Sequence, residues 1–266
     1  MTKDVAETPT RPASGAGFVR DPARPVLVHS GRMPAGQMVE PHSHPRGQLI
    51  WAMQGVLRVT SRGGVWIVPP SHAVWIPGGT DHHVTTETEV EIRNLYVDPS
   101  LPLRRQVPRC AVLLLTPLLR ELILRLAALT TDAPFDARRL HLAAVIADEI
   151  EALAEAPFSL PGAHDARLVR LMRHLRETPD EARPLADLAA LAGASPRTLE
   201  RLFRAETGLT FRQWRSRLRL MAAIERLERG QSSTEIAWSL GYRSPSAFVA
   251  AFRAQFGRPP QSFLMG

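Results

Sequence analysis

In the stretch VEPHSHPRGQLIWAMQG, from Val39 to Gly55, two histidines, His42 and His44, stand one residue apart ahead of an apolar run. Neutral imidazoles are ligands for divalent transition metals. The same side chains can instead hydrogen-bond inside a metabolite-binding barrel that carries no metal. Neither a nucleophile–base pair nor a glycine-rich phosphate loop accompanies them, and Gly63-Gly64 has the form of a hairpin turn. Arg46 and Gln48, between the histidines and the apolar run, are placed to orient a polar ligand. Trp51, Met53, Trp66 and Trp75 suit either a pocket wall or a core. His72 and His83 are expected at the surface.

A second set of reactive-looking side chains lies near the other end. Once Leu199, Leu202 and Phe203 are assigned to a buried helical stripe, Arg197, Glu200 and Arg201 remain side by side at i, i+3 and i+4. Arginine bonds guanine O6 and N7 bidentately and glutamate accepts from cytosine N4, so this trio suits reading base edges in a major groove.

The elements that must position these groups differ in kind. Residues 26 to 97 break into short runs such as LIWAM, VLRVT, VWIVP, AVWIP and VEIRNLYV, punctuated by Gly and Pro, which predicts an antiparallel barrel or sandwich. A proline-bearing stretch from Pro99 to Pro108 ends that pattern. Beyond Thr116, Leu118, Leu119, Leu122, Ile123 and Leu126 recur at helical spacing, as do Leu140, Ala144, Ile146, Ile150 and Leu153, so two amphipathic helices follow. Glu155 to Asp165, with two prolines and a glycine, reads as a linker.

The last segment repeats itself. SPRTLERLFRAETG, from Ser195 to Gly208, aligns with SPSAFVAAFRAQFG, from Ser244 to Gly257, and Gly193 aligns with Gly241 upstream. Each copy is a helix, a glycine turn and a second helix opened by a Ser N-cap and a Pro at the first helical position. The long helix Arg212 to Arg229 joins the two copies.

Charge favours the same reading. From Arg167 to Gly266 the chain has 17 Arg against 9 Asp and Glu, a net +8, while the rest carries a net −1. A basic helical segment of this kind attracts a polyanion, because each neutralised phosphate releases condensed counterions. At 266 residues and 44% hydrophobic composition the chain has length for two modest domains. It has no apolar run of the roughly 20 residues needed to span a bilayer and no apolar signal core near its start, so a cytoplasmic protein is expected. Its one cysteine, Cys110, cannot form an internal disulfide.

Residues 165 to 266, including IAWSLGYRSPSAFVAAFRAQFGRPPQSF, resemble the DNA-binding domain of AraC/XylS-type transcription regulators. The resemblance implies that each second helix enters one of two successive major-groove segments. The first then offers Arg197, Glu200 and Arg201, and the second Ser246, Val249 and Ala250, less polar than is usual in the family and suited to thymine methyls. The pattern Gly36-x5-His42-x-His44-x3-Gln48-x6-Gly55, with Pro77-x-Gly79-x2-His82, resembles the two cupin motifs. That resemblance implies a metal site of His42, His44, Gln48 and His82, in which Gln48 stands where metal-binding cupins have glutamate. The lost carboxylate removes charge that an iron or manganese site normally uses.

The expected fold class is therefore α+β: an antiparallel β-barrel of the cupin or jelly-roll kind with a helical pair, then an all-α double helix-turn-helix domain. Its expected divisions are a disordered tail at 1–25, the sensor barrel at 26–98, a helical pair for dimerisation at 99–155, a linker at 156–164 and the DNA-binding domain at 165–266. The expected function is sequence-specific transcription regulation under a small-molecule or metal effector, with Arg46, Gln48 and Trp51 binding the effector and Zn, Ni, Mn or Fe as the metal if one is held. Expected partners are double-stranded DNA, the effector, a second copy of the chain, and RNA polymerase if the protein activates; no membrane is involved. The alternative is a metal-dependent cupin enzyme, an oxygenase or isomerase, with an accessory helical domain. An architectural DNA binder would leave the barrel's motif without a purpose.

Overall fold

The computed structural model describes residues 9–106, 108–129 and 135–263. The chain divides into two compact units. One comprises residues through Ser61 together with Val68–Ala156, and the other comprises Arg62–Ile67 together with the residues from Pro157 onward.

The first unit is the predicted β structure. Its strands are β1 (Thr10–Arg11), β2 (Val26–Met33), β3 (Met38–His42), β4 (Gly47–Gln54) and β5 (Leu57–Ser61); then, after β6 (Gly64–Val68), β7 (His72–Ile76), β8 (His82–Thr86), β9 (Val90–Val97) and β10 (Ala111–Leu114). Five of them form one sheet in the order β10-β7-β4-β9-β2, and β1-β3-β8-β5 run in a second. Among the described residues, β1 runs parallel to β3, and the β10·β7, β7·β4, β4·β9, β9·β2, β3·β8 and β8·β5 pairings are antiparallel. Turn chemistry sets the strand ends. Gly55 closes β4 at φ 81°, where a Cβ would come within 2.1 Å of the Glu89 carbonyl oxygen, so no other residue fits.

β4 is buried on both faces, which makes its sequence a near-continuous apolar run. Leu49 and Trp51 on one face join Trp75 and Leu95 against α1 (Pro117–Ala127) and α2 (Ala137–Ala152), through Leu119, Ile123 and Leu126 of α1 and Ala143, Ile146 and Ile150 of α2. Both helices start where their caps predict. Thr116 Oγ1 accepts from the Leu119 N–H at 3.1 Å, and an Asp136 carboxylate oxygen accepts from the Arg139 N–H at 2.9 Å.

Three expectations about this unit need correction. Residues 9–25 are not a disordered tail. They hold β1 and a 3-10 turn at Gly15–Phe18, because β1 pairs with β3 and Arg46 binds the carbonyls that follow. The β pattern does not end at 98, since β10 pairs with β7 inside the segment assigned to the helical pair. A four-residue apolar run carries no periodicity to distinguish strand from helix. Leu126, Ile146, Ile150 and Leu153 belong to the core and are unavailable for dimerisation.

The second unit contains α3 (Ala166–Glu177), α4 (Leu185–Ala192), α5 (Pro196–Thr207), α6 (Phe211–Glu228), α7 (Ser233–Ser239), α8 (Pro245–Phe256) and α9 (Pro260–Phe263). Part of the expected linker is β11 (Ser159–Pro161), which pairs antiparallel with Gly64–Trp66 of β6. α4–α5 and α7–α8 are the two helix-turn-helix units, joined by α6. Thr210 and Gln213 form a capping box at the start of α6, and Ser232 and Glu235 form one at the start of α7. Each cap is worth about 1 kcal/mol, against about 1.5–3 kcal/mol for each large apolar side chain buried, so packing rather than capping holds the units together. Phe203, Phe211 and Trp214 form one aromatic cluster, and Phe158, Phe252, Phe256 and Phe263 form another.

Candidate functional site

Three histidines of the first unit converge. His42 ends β3, His82 begins β8 directly opposite it in register, and His44 lies in the connection to β4. Each offers a ring nitrogen within 4.8 Å of the others. Backbone carbonyls fix how the rings are used: Nδ1 of His42 lies 2.6 Å from Glu40 O, Nδ1 of His44 2.8 Å from Arg46 O, and Nδ1 of His82 2.8 Å from Thr80 O. Since a carbonyl only accepts, each neutral ring carries its proton on Nδ1 and keeps a lone pair on Nε2. Burial pushes the His44 pKa below its ordinary value and that of His82 down to about 4. These two rings stay neutral near pH 7, the state a metal requires.

Gln48 completes the cluster from β4. Its Oε1 lies 3.0 Å from His44 Nε2 and 3.2 Å from His82 Nε2, while its Nε2 donates to Tyr96 Oη at 3.1 Å. An amide oxygen facing two imidazole lone pairs is an acceptor among acceptors. A cation between them resolves the conflict, and so does turning the amide end for end, so that NH2 donates to both rings and the carbonyl accepts from Tyr96. The donor set therefore fits a divalent ion with a preference for nitrogen and oxygen, and the nitrogen-rich, uncharged ligands favour Zn or Ni over Mn or Fe.

Two of the residues expected to bind an effector are placed elsewhere. The Arg46 side chain is 0% exposed and pairs with Asp98 at 3.0 Å. It also donates to the carbonyls of Val19 (2.6 Å), Arg24 (3.0 Å), Asp21 (3.2 Å) and Tyr96 (3.2 Å). Its donors are occupied by the protein, and its work is to hold the N-terminal arm. The arm reaches the cluster, for a Cβ on Gly17 would lie 2.8 Å from the His44 ring. Trp51 lies on the helix-facing side of β4, in one core with Trp75 against which Met53 also packs, and its Nε1 donates to Pro70 O at 2.8 Å. His72 is buried in β7, not at the surface, and His83 is half-buried.

The space beside the cluster lies between the two sheets. It is lined by Arg11 of β1, His29 of β2, Gln48 and Ile50 of β4, and Asn94 and Tyr96 of β9, among others. Arg11, His29, Asn94 and Tyr96 were not anticipated. Ile92, Asn94 and Tyr96 alternate along VEIRNLYV with the period of a strand, a signal that points all three to one side. Arg11 lies in the stretch whose composition predicts a disordered tail.

In the second unit, Ser195 caps α5 by accepting from the Thr198 N–H at 3.2 Å, and Ser244 caps α8 by accepting from the Ala247 N–H at 3.2 Å. Gly193 before α5 takes the left-handed conformation at φ 66°. Leu199, Leu202 and Phe203 are buried as expected, Arg197 and Arg201 are exposed, and Glu200 is half-buried. On α8, Phe248 and Phe252 are buried. Ser246, Val249 and Ala250 line one open groove with Ser233, Thr234 and Arg253.

Comparison with known proteins agrees with both halves. The family model for the AraC-like ligand binding domain matches residues 25–143, and that for a helix-turn-helix domain matches 188–265. The HTH-type transcriptional regulator NimR of Escherichia coli (strain K12) is 34% identical over 238 residues, covering 89% of this chain and 85% of NimR. Among solved structures, the DNA-binding domain of the global transcriptional factor AdpA, in complex with a target DNA, is 33% identical, with a TM-score of 0.36, and covers 38% of this chain and 92% of that one. ToxT from Vibrio cholerae is 12% identical with a TM-score of 0.39, covering 91% and 98%.

Proposed function

Since this chain belongs to the AraC-type transcription regulators, with a ligand-binding N-terminal domain and a helix-turn-helix DNA-binding domain, we propose that it is a dimeric, cytoplasmic sensor whose barrel ligand controls how its two helix-turn-helix units engage an operator. α5 reads bases through Arg197, Glu200 and Arg201, and α8 contributes apolar contacts through Val249 and Ala250 with one hydroxyl from Ser246. His42, His44, His82 and Gln48 hold a divalent metal, and the effector occupies the neighbouring cavity. A ligand acts here only by binding the DNA-competent and incompetent arrangements unequally. If the protein activates, RNA polymerase is a further partner.

One observation carries this reading: two Ser-capped second helices, on a segment of net +8, with polar side chains exposed on α5. The enzymatic alternative draws no support from the relatives, which are named as transcription regulators. No described helix is long and apolar enough to cross a membrane. The test is selection of duplexes from a randomised pool by the full-length protein at fixed salt, followed by footprinting of the selected site. Protection of two successive major-groove segments supports the proposal. Binding without base preference, equally weakened by salt on every duplex, overturns it.

A further inference from the structure

The cavity between the two sheets of the first unit has a volume of about 30 Å³. A space needs roughly 10–15 Å³ to hold one water, so this cavity as it stands takes two or three, and an organic ligand must be compact and shift the arm to enter. The polar lining is one-sided. Arg11, His29 and His42 contribute basic groups, Gln48, Asn94 and Tyr96 neutral ones, and no described carboxylate lines the space. Among the described residues Arg11 makes no ion pair. Burial and the nearby charge of Arg11 hold the His29 pKa below its ordinary value, which leaves the guanidinium as the dominant charge on that wall.

A second observation fixes another corner. Asn94 is 7% exposed and its Oδ1 has no hydrogen-bond partner. A buried acceptor left unpaired is costly, and a ligand N–H or O–H in this cavity removes that cost. Much of the remaining wall is apolar, including Met33, Ile50, Leu57 and Ile92. A polyhydroxylated sugar would leave most of its hydroxyls facing these side chains without partners.

We propose that this cavity binds a compact organic carboxylate, with its anionic group paired to Arg11, a hydroxyl or amine hydrogen donated to Asn94 Oδ1, and a short apolar body against Ile50 and Ile92. The assignment rests on the barrel being the effector-binding sensor.

The test is calorimetric titration of the full-length protein, before and after chelation of metal. The probes are lactate and 2-hydroxybutyrate, their amides, and the hydroxyl-free acids propionate and butyrate. At least one hydroxy acid should bind roughly ten-fold or more tightly than its amide. Arg11→Gln should abolish that preference and Arg11→Lys should retain most of it, with melting temperature reporting that each variant folds. Asn94→Leu should weaken the hydroxy acid while leaving the hydroxyl-free acid unchanged. The proposal is overturned if no acid outbinds its amide in either metal state, or if Arg11→Gln keeps the preference. DNA binding of the same preparations is measured separately by fluorescence anisotropy, so a failure of the regulator reading is seen independently of a failure here.

Discussion

Arg46 and Asp98 form an ion pair of 3.0 Å in which the guanidinium is wholly closed to solvent and the carboxylate nearly so. Through the same guanidinium the barrel grips the arm at Val19, Asp21 and Arg24. Removing one partner of such a pair costs about 3–5 kcal/mol, since the other is left buried and uncompensated. Arg46→Ala should therefore lower unfolding stability by about that amount and expose the arm to trypsin at Arg20 and Arg24. Urea melts with time-resolved digestion check this, and wild-type-like stability with a protected arm would show that the pair has no such role.

The same pair predicts a pH dependence. Burial alone would raise the Asp98 pKa, but the N–H and hydroxyl of Ser100, together with Arg46, outweigh it and hold the carboxyl below its ordinary value. A depressed folded-state value gives stability that is fully present above the unfolded carboxylate range and is lost as pH falls through the folded value. The stability difference between wild type and Asp98→Asn should thus be complete at pH 7 and shrink below about pH 4. A difference independent of pH from 7 to 3 would contradict the assignment.

The histidine cluster should take up about one divalent ion per chain, Zn or Ni more tightly than Mn, with affinity falling as pH drops through the lowered values of His44 and His82, about 4 for the latter, and protons compete for imidazole nitrogen. His42→Ala combined with His44→Ala should abolish uptake, read by elemental analysis after gel filtration. Gln48→Glu adds the missing carboxylate and should shift preference toward Mn and Fe. Equal metal content in wild type and the double variant would show that the cluster is not the site.

Base readout should be unequal between the two helix-turn-helix units. Losing a bidentate arginine contact costs about 1–3 kcal/mol and relaxes preference at one base pair. Arg197→Ala or Arg201→Ala should lower specific affinity by roughly ten-fold or more and broaden the selected site at that position. Ser246→Ala or Val249→Ala should mainly lower affinity. Should Val249→Ala change base preference more than Arg201→Ala does, α5 is not the principal reader.

Dimerisation should use the outer face of the helical pair. Thr116 Oγ1 donates to a Glu149 carboxylate at 3.1 Å, which sets the start of α1 beside the later turns of α2. Leu118 of α1 and Val145 of α2 are 52% and 43% exposed. Exposed apolar side chains on both helices fit a two-fold contact. Leu118→Glu with Val145→Glu should give a folded monomer by multi-angle light scattering, and a dimer that persists in the folded double variant would place the contact elsewhere.

How much of the site was readable depended on whether residues act through local spacing or through sheet register. His42, His44, Gln48 and His82 stood out because two motifs place them. Asn94 and Tyr96 reach the same space only because Ile50 pairs with Asn94 and Gln48 with Tyr96 across β4 and β9, a long-range match that local pattern does not encode. Trp51 was misplaced for a related reason. With both faces of β4 buried, LIWAM shows no alternation, although Gln48 on the cavity side sets a phase that puts Ile50 inward and Trp51 outward. The double helix-turn-helix was legible almost in full, since its caps, glycine turns and core stripe are all local.

Arg62–Ile67 group with the second unit although the chain on either side of them belongs to the first, and Gly64–Trp66 supply the strand that β11 pairs with. The backbone therefore passes from one unit to the other more than once. A gene fragment starting at Pro157 would encode a reader with Ser159–Pro161 stripped of its neighbour, and a chimera that grafts another sensor onto this reader would have to carry the 62–67 segment along with it. A single junction leaves 62–67 mismatched with the unit it belongs to, so exchange of the two units whole requires three junctions, after Ser61, Ile67 and Ala156.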